Sequence, residues 1–67
     1  MEMMLNGIKY KYVSTKAFGH KVMSYVNTGV IGGPDQWTND TETNLSSPIE
    51  NIEQFYDICD QLDRVYN

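Results

Sequence analysis

The chain has 67 residues, a single cysteine, a single histidine and a formal net charge of −4. One cysteine excludes an internal disulfide, and one cysteine with one histidine cannot supply the four ligands of a structural zinc. A chain of this length forms a single domain with a small core, so we expect it to gain stability by self-association as a homodimer.

Positive and negative side chains are segregated along the chain. Residues 1–21 carry four lysines against Glu2, whereas residues 22–67 carry eight carboxylates against Arg64 alone. The N-terminus lacks the basic and apolar segments of a signal peptide, and no stretch approaches the roughly 18 apolar residues of a membrane span. Together with the lone cysteine, these features predict a cytoplasmic protein with no membrane partner.

The first half of the chain predicts a hairpin. After the Asn6-Gly7 turn signal, residues 8–15 alternate with period two and are rich in aromatic and β-branched side chains. Residues 21–27 meet the same criteria. With a turn around Gly19, the two segments are expected to pair as antiparallel strands.

The middle of the chain carries weaker signals. Glycines and a proline predict turns between residues 28 and 35, with a short third strand possible at 30–31 or 36–38. Residues 39–46 are almost wholly polar, which predicts a loop.

The C-terminal segment predicts a helix over residues 48–65. Ser47, Pro48 and Glu50 fit a capping box with proline at the first helical position, and apolar residues then recur at spacings of three and four. The expected fold class is therefore α+β. It consists of an antiparallel two- or three-stranded sheet with one C-terminal amphipathic helix packed on it, in a single domain over residues 1–67.

Enzyme chemistry is not expected. Acid–base and nucleophilic catalysis need groups held within hydrogen-bond reach, whereas His20 is expected in an exposed turn and Cys59 on the apolar face of the helix. The glycines at 29–33 lack the Lys-Ser/Thr of a phosphate loop, so they are interpreted as turn residues. No cofactor or metal site is predicted, because carboxylates spaced along a helix do not converge as those of a calcium loop do.

Carboxylates spaced three and four residues apart form the first candidate binding surface, since this spacing places them on one side of a helix. Aspartates near the C-terminal end of a helix oppose its dipole and are poor helix formers. A solvated face that maintains solubility and a docking surface for a basic partner both fit this pattern. The residues are Glu50, Glu53, Asp57, Asp60 and Asp63, widened by Asp40 and Glu42 of the preceding loop.

The lysine-bearing hairpin is the second candidate surface. Lys9 and Lys11 alternate with Tyr10 and Tyr12, and basic residues interleaved with aromatic ones can bind single-stranded nucleic acid. Strand alternation, however, places lysines and tyrosines on opposite faces, which favours a core role for these tyrosines together with Tyr25.

Trp37 lies in a polar segment without apolar neighbours in sequence. Two interpretations remain open for it. The side chain either covers the core or contacts a partner, because tryptophan is enriched in interface hot spots.

In length, lack of catalytic groups, segregated negative charge and hairpin-plus-helix pattern, the chain resembles the small acidic bacteriophage proteins that bind and disable a host protein, including DNA mimics. The resemblance implies an inhibitor that occupies the nucleic-acid-binding surface of a basic host protein in the host cytoplasm. Such a target is a nucleoid-associated protein, an RNA polymerase or a defence nuclease, and the inhibitor itself contacts no nucleic acid.

The four N-terminal lysines depart from this pattern, because DNA mimics are usually more acidic. Two alternatives stand beside it. One is a small nucleic-acid-binding module that uses the Lys/Tyr hairpin, and the other is a small structural or adaptor subunit.

Overall fold

A computed structural model describes residues 1–17, 19–29 and 31–66 of the chain. Four strands form one antiparallel sheet in the order β1-β2-β3-β4, so each strand pairs with its neighbours in sequence. One helix packs on the sheet, which confirms the α+β class with one strand more than the largest sheet expected. The elements are β1 (Glu2–Leu5), β2 (Ile8–Thr15), β3 (Gly19–Asn27), β4 (Trp37–Leu45) and α1 (Ile52–Tyr66).

Strand β1 is an edge strand that the sequence patterns did not predict. It pairs with β2 through a two-residue turn in which Asn6 and Gly7 both adopt positive φ, at 50° and 81°. Positive φ at both positions is the geometry of the tight hairpin turn that Asn-Gly favours. The turn was predicted correctly, but the strand before it is only four residues long.

Strand β4 shows that the prediction of a loop over 39–46 is wrong. The predicted short strand at 36–38 is the beginning of this longer strand. Of the other alternative, 30–31, Val30 lies outside the described residues and Ile31 lies in a turn. Because β4 is an edge strand and most of its side chains are exposed, polar residues cost little there, and its threonines favour extended backbone.

The helix begins at Ile52, four residues later than predicted, because the cap is Asn51 rather than Ser47. The Asn51 Oδ1 accepts a hydrogen bond from the Gln54 N–H at 2.9 Å, which satisfies an N–H that the first turn leaves without a helical partner. The later start allows Ile49, which is 7% exposed, to enter the core from the segment before the helix.

The core lies between the helix and the face of the sheet that the helix covers, which we call the inner face. Tyr10 and Val22 contribute from the strands, and Phe55 and Cys59 from the helix; each of these four is 0 or 1% exposed. Partly buried side chains surround this cluster. They are Met3, Leu5, Ile8, Tyr12, Leu45, Ile58 and Leu62.

A polar network ties the start of the helical segment to the inner face. The Ile49 N–H donates to the Tyr12 Oη at 3.2 Å, and that oxygen lies 3.3 Å from the His20 Nδ1. Ser14 Oγ is 2.8 Å from the same nitrogen. The expectation that His20 lies in an exposed turn is therefore wrong: it is half-buried in β3, which begins two residues earlier than predicted.

Burial of Cys59 predicts a loss of stability in alkali. Desolvation raises the pKa of its thiol from the ordinary value of 9.0 to about 11. Between these values the unfolded chain loses the proton that the folded chain keeps, so stability is intact below pH 9 and falls as the pH approaches 11. One pKa unit is worth about 1.4 kcal/mol, so we expect the free energy of unfolding to fall by roughly 2 to 3 kcal/mol in urea titrations.

The control is Cys59→Ala, which removes the thiol and keeps every other ionisable side chain. The difference between the two proteins therefore isolates the thiol. Equal slopes of unfolding free energy against pH in both proteins would contradict the prediction.

Candidate functional site

The face of the sheet opposite the helix, which we call the outer face, is assembled by the pairing of β2 with β3. Lys9 pairs with Tyr25, and Lys11 pairs with Met23, so these four side chains point to the same side. Within the described part of the chain, the one helix lies on the opposite side. The outer face is therefore the uncovered face of the sheet.

The position of Tyr25 corrects the expectation that it packs with Tyr10 and Tyr12. The residues of β3 that face inward are His20, Val22, Ser24 and Val26, of which Val22 and Ser24 are buried. Ser24 is 2% exposed, and its hydroxyl lies 2.7 Å from the Thr41 hydroxyl, which makes a buried serine acceptable there. Tyr25, the next residue along the strand, therefore points to the outer face.

A cation–aromatic contact spans the outer face. Lys9 Nζ lies 4.9 Å from the centroid of the Trp37 ring, although the two residues belong to strands separated by β3. Both side chains are half-buried. Of the two interpretations of Trp37, the structure supports exposure on a surface, because the ring lies on the outer face rather than over the core that the helix covers.

A shallow cavity of about 220 Å³ surrounds this contact, lined by Glu2, Lys9, Lys11, Tyr25 and Trp37. Aromatic rings and ammonium groups thus share one concave patch. We refer to these five residues as the outer-face patch.

A third lysine, Lys21, lies farther along the outer face. Lys21 pairs with Val13, the next outward-pointing position of β2 after Lys11. Its ammonium group lies 3.2 Å from the Glu42 carboxylate, which is 44% exposed. Glu42, predicted to widen an acidic surface with the helix, therefore lies on the other side of the molecule beside a lysine.

The helix presents only part of the predicted acidic surface. Glu50, Glu53 and Asp57 are exposed, the first of them just before the helix begins. Asp60 forms an ion pair with Arg64 at 3.0 Å. Since Arg64 follows Asp57 by two turns on the same side, a positive charge ends the row of carboxylates.

The other predicted acidic positions lie apart from that row. Asp63 is 6% exposed and accepts a hydrogen bond from the side-chain amide of Asn6, so it joins the end of the helix to the β1–β2 turn. Asp40 is exposed on β4, where it is the extra residue of a bulge opposite Ser24 and Tyr25. Periodicity placed Asp63 beside the acidic side of the helix but could not reveal that a turn 57 residues away would cover it.

Paired substitutions test this separation of roles. Asp63→Ala removes a buried acceptor and leaves the Asn6 amide without it, so we expect the free energy of unfolding to fall by roughly 1 to 3 kcal/mol. Asp57→Ala makes the same change on the exposed side of the helix and is expected to alter it by less than about 0.5 kcal/mol. Urea denaturation followed by circular dichroism measures both. Similar small effects would show that Asp63 is not a structural residue.

A second pair tests the contact between Lys9 and Trp37. Lys9→Met keeps an unbranched side chain but removes the charge, so we expect a loss of about 0.5 to 1 kcal/mol in stability and a change in tryptophan emission. The emission reports this site directly because the chain has one tryptophan. Lys11→Met, on the same strand and face, is the control and is expected to change neither quantity appreciably. Equal responses would argue against the contact.

The helix of the described residues has neither the length nor the apolar character to cross a membrane. Protein-family models, curated proteins and solved structures were compared with the chain, and none matches.

Proposed function

We propose that this chain is a non-enzymatic binding protein that engages its partner through the outer face of its sheet. The observation that carries the proposal is the placement of the Trp37 ring under the Lys9 ammonium group in one concave patch with Tyr25 and Lys11. Tryptophan and tyrosine provide large contact areas at low entropic cost, which is why they dominate binding hot spots.

The composition of the outer face supports this choice. An antiparallel sheet with a helix on one side usually presents small polar and charged residues on the other. Here the uncovered side carries Tyr25 and Met23 on the central strand β3 and Trp37 at the start of the edge strand β4. These side chains contribute little to the core, which the helix covers on the opposite face, but they suit contact with another molecule.

The charge on the outer face is also distinct from that on the rest of the chain. Lys9, Lys11 and Lys21 oppose Glu2 and Glu42, which gives a sum of +1, whereas the whole chain carries −4. A partner that meets the outer face therefore meets the least negative side of the protein, which favours an anionic molecule.

The exposed carboxylates of the helical segment support a second candidate function. Glu50, Glu53 and Asp57 are all exposed, and Asp57 also borders a concavity of about 340 Å³ beside the start of the helix. This second candidate is a bacteriophage-type inhibitor that occupies the nucleic-acid-binding surface of a basic host protein. The acidic surface is smaller than predicted from the sequence, because Asp60 is paired with Arg64 and Asp63 is buried.

Capture experiments with charge-reversal variants separate the two functions. Tagged protein is used to retain binding molecules from a bacterial lysate at moderate salt. We expect Lys11→Glu to abolish capture of the main ligand, because it reverses an exposed charge in the outer-face patch. Lys16→Glu makes the same change in the β2–β3 turn, outside the patch, and is expected to retain it.

A helix variant, Asp57→Lys, completes the comparison, and circular dichroism establishes that each variant is folded. Loss of capture in Asp57→Lys but not in Lys11→Glu would favour the acidic inhibitor and overturn the proposal. Failure to capture any ligand, or capture that none of the substitutions weakens, would contradict both functions.

A further inference from the structure

The aromatic rings of the outer face are arranged as a platform. Trp37 lies on β4 and Tyr25 on the adjacent strand β3, and both belong to the outer-face patch. The Tyr25 hydroxyl donates to the Met23 sulfur at 3.6 Å, and Lys9 holds the Trp37 ring. Both rings are therefore positioned before any partner arrives, which lowers the entropic cost of binding.

The lysines follow a path beside these rings. Lys9 and Lys11 are successive outward residues of β2, so their Cα atoms lie roughly 6 to 7 Å apart. Lys21 pairs with Val13, which is the following outward position of the same strand. The three lysines thus start from successive positions along the direction of β2, leading away from the Trp37 end of the sheet. The ammonium groups of Lys9 and Lys21 extend toward β4, to Trp37 and Glu42.

The geometry points to single-stranded nucleic acid as the partner of the outer face, an inference that rests on the proposed function and departs from the expectation that the chain contacts no nucleic acid. Bases stack on aromatic side chains, while lysines follow the phosphates, and neither contact requires a particular sequence. In a duplex the faces of the bases are already stacked on each other, so Trp37 and Tyr25 could not contact them. The surface therefore selects single strands over duplexes.

The ion pair that Lys21 makes does not prevent this lysine from binding a phosphate. The ion pair between Lys21 and Glu42 is partly exposed: the glutamate side chain is 44% exposed and the lysine side chain 19%. Such surface pairs contribute only about 0 to 1 kcal/mol, so a phosphate can replace Glu42 at little cost. The carboxylates of the helix lie on the opposite side of the sheet. They repel nucleic acid from that side and thereby favour its approach to the outer face.

The test measures the anisotropy of fluorescein-labelled oligothymidine and oligouridine of about 12 nucleotides, a length within the roughly 4 to 16 nucleotides that a single OB-fold domain covers. We expect binding at low salt that weakens as salt increases, because phosphate contacts release counterions. Trp37→Leu is expected to weaken affinity about ten-fold, which corresponds to the loss of one stacked base.

Matched lysine variants localise the binding. Lys11→Gln is expected to weaken affinity several-fold, whereas Lys16→Gln, with the same loss of charge in the β2–β3 turn, is expected to change it less than about two-fold. A labelled duplex of the same length is expected to bind more weakly than either single strand.

Three results would overturn the inference. The first is no binding of either oligonucleotide at low salt. The second is equal binding of the duplex with no effect of Trp37→Leu, which would indicate charge attraction alone. The third is self-association in sedimentation experiments that Trp37→Leu abolishes, which would show that a second copy covers the outer face.

The Lys11→Glu capture experiment distinguishes failure of this inference from failure of the proposed function. If oligonucleotides do not bind but Lys11→Glu still abolishes capture of a protein, the outer face is the binding surface and its partner is a protein. If Lys11→Glu leaves capture intact as well, both the partner class and the surface are wrong.

Discussion

The register between β2 and β3 is the constraint on which the rest of the structure depends. Pairing of Tyr10 with Ser24 and of Lys9 with Tyr25 decides which side chains the helix covers and which remain outside. A shift by one residue would exchange the two faces, bringing lysines under the helix and exposing the core. The same pairing thus determines both the core and the outer-face patch.

Elements with strong local chemistry could be predicted from the sequence. Alternation located β2 at residues 8–15, Asn6-Gly7 identified the first turn, and apolar spacing identified the helix. Strand β4 could not be found in this way, because an edge strand with exposed side chains has no hydrophobic alternation. The helix was predicted to begin four residues too early, because capping residues occur at both Ser47 and Asn51. Burial of Ile49 decides in favour of the later start.

The candidate binding surfaces were harder to predict than the fold, because they depend on contacts between distant parts of the chain. Spacing along a helix predicted one row of carboxylates, but Glu50 lies before the helix begins. Pairing with Arg64 and burial against Asn6 removed Asp60 and Asp63 from the exposed row. On the sheet, Tyr25 was expected to join Tyr10 and Tyr12 in the core. The register that turns Ser24 inward instead, with its hydroxyl 2.7 Å from that of Thr41, cannot be inferred from either strand alone.

The helix is attached near both of its ends to the side of the sheet that holds β1 and β2. Tyr12 receives the Ile49 N–H just before the helix starts, and Asn6 binds Asp63 near its end. Strand β4 lies at the far edge of the sheet, where most of its side chains are exposed. Strand β4 is held instead by its pairing with β3 and by Leu45, which packs against the core. Since β4 carries Trp37, the two sides of the outer-face patch are fixed by separate contacts: the helix supports the β2 side, and the β3–β4 register supports the Trp37 side.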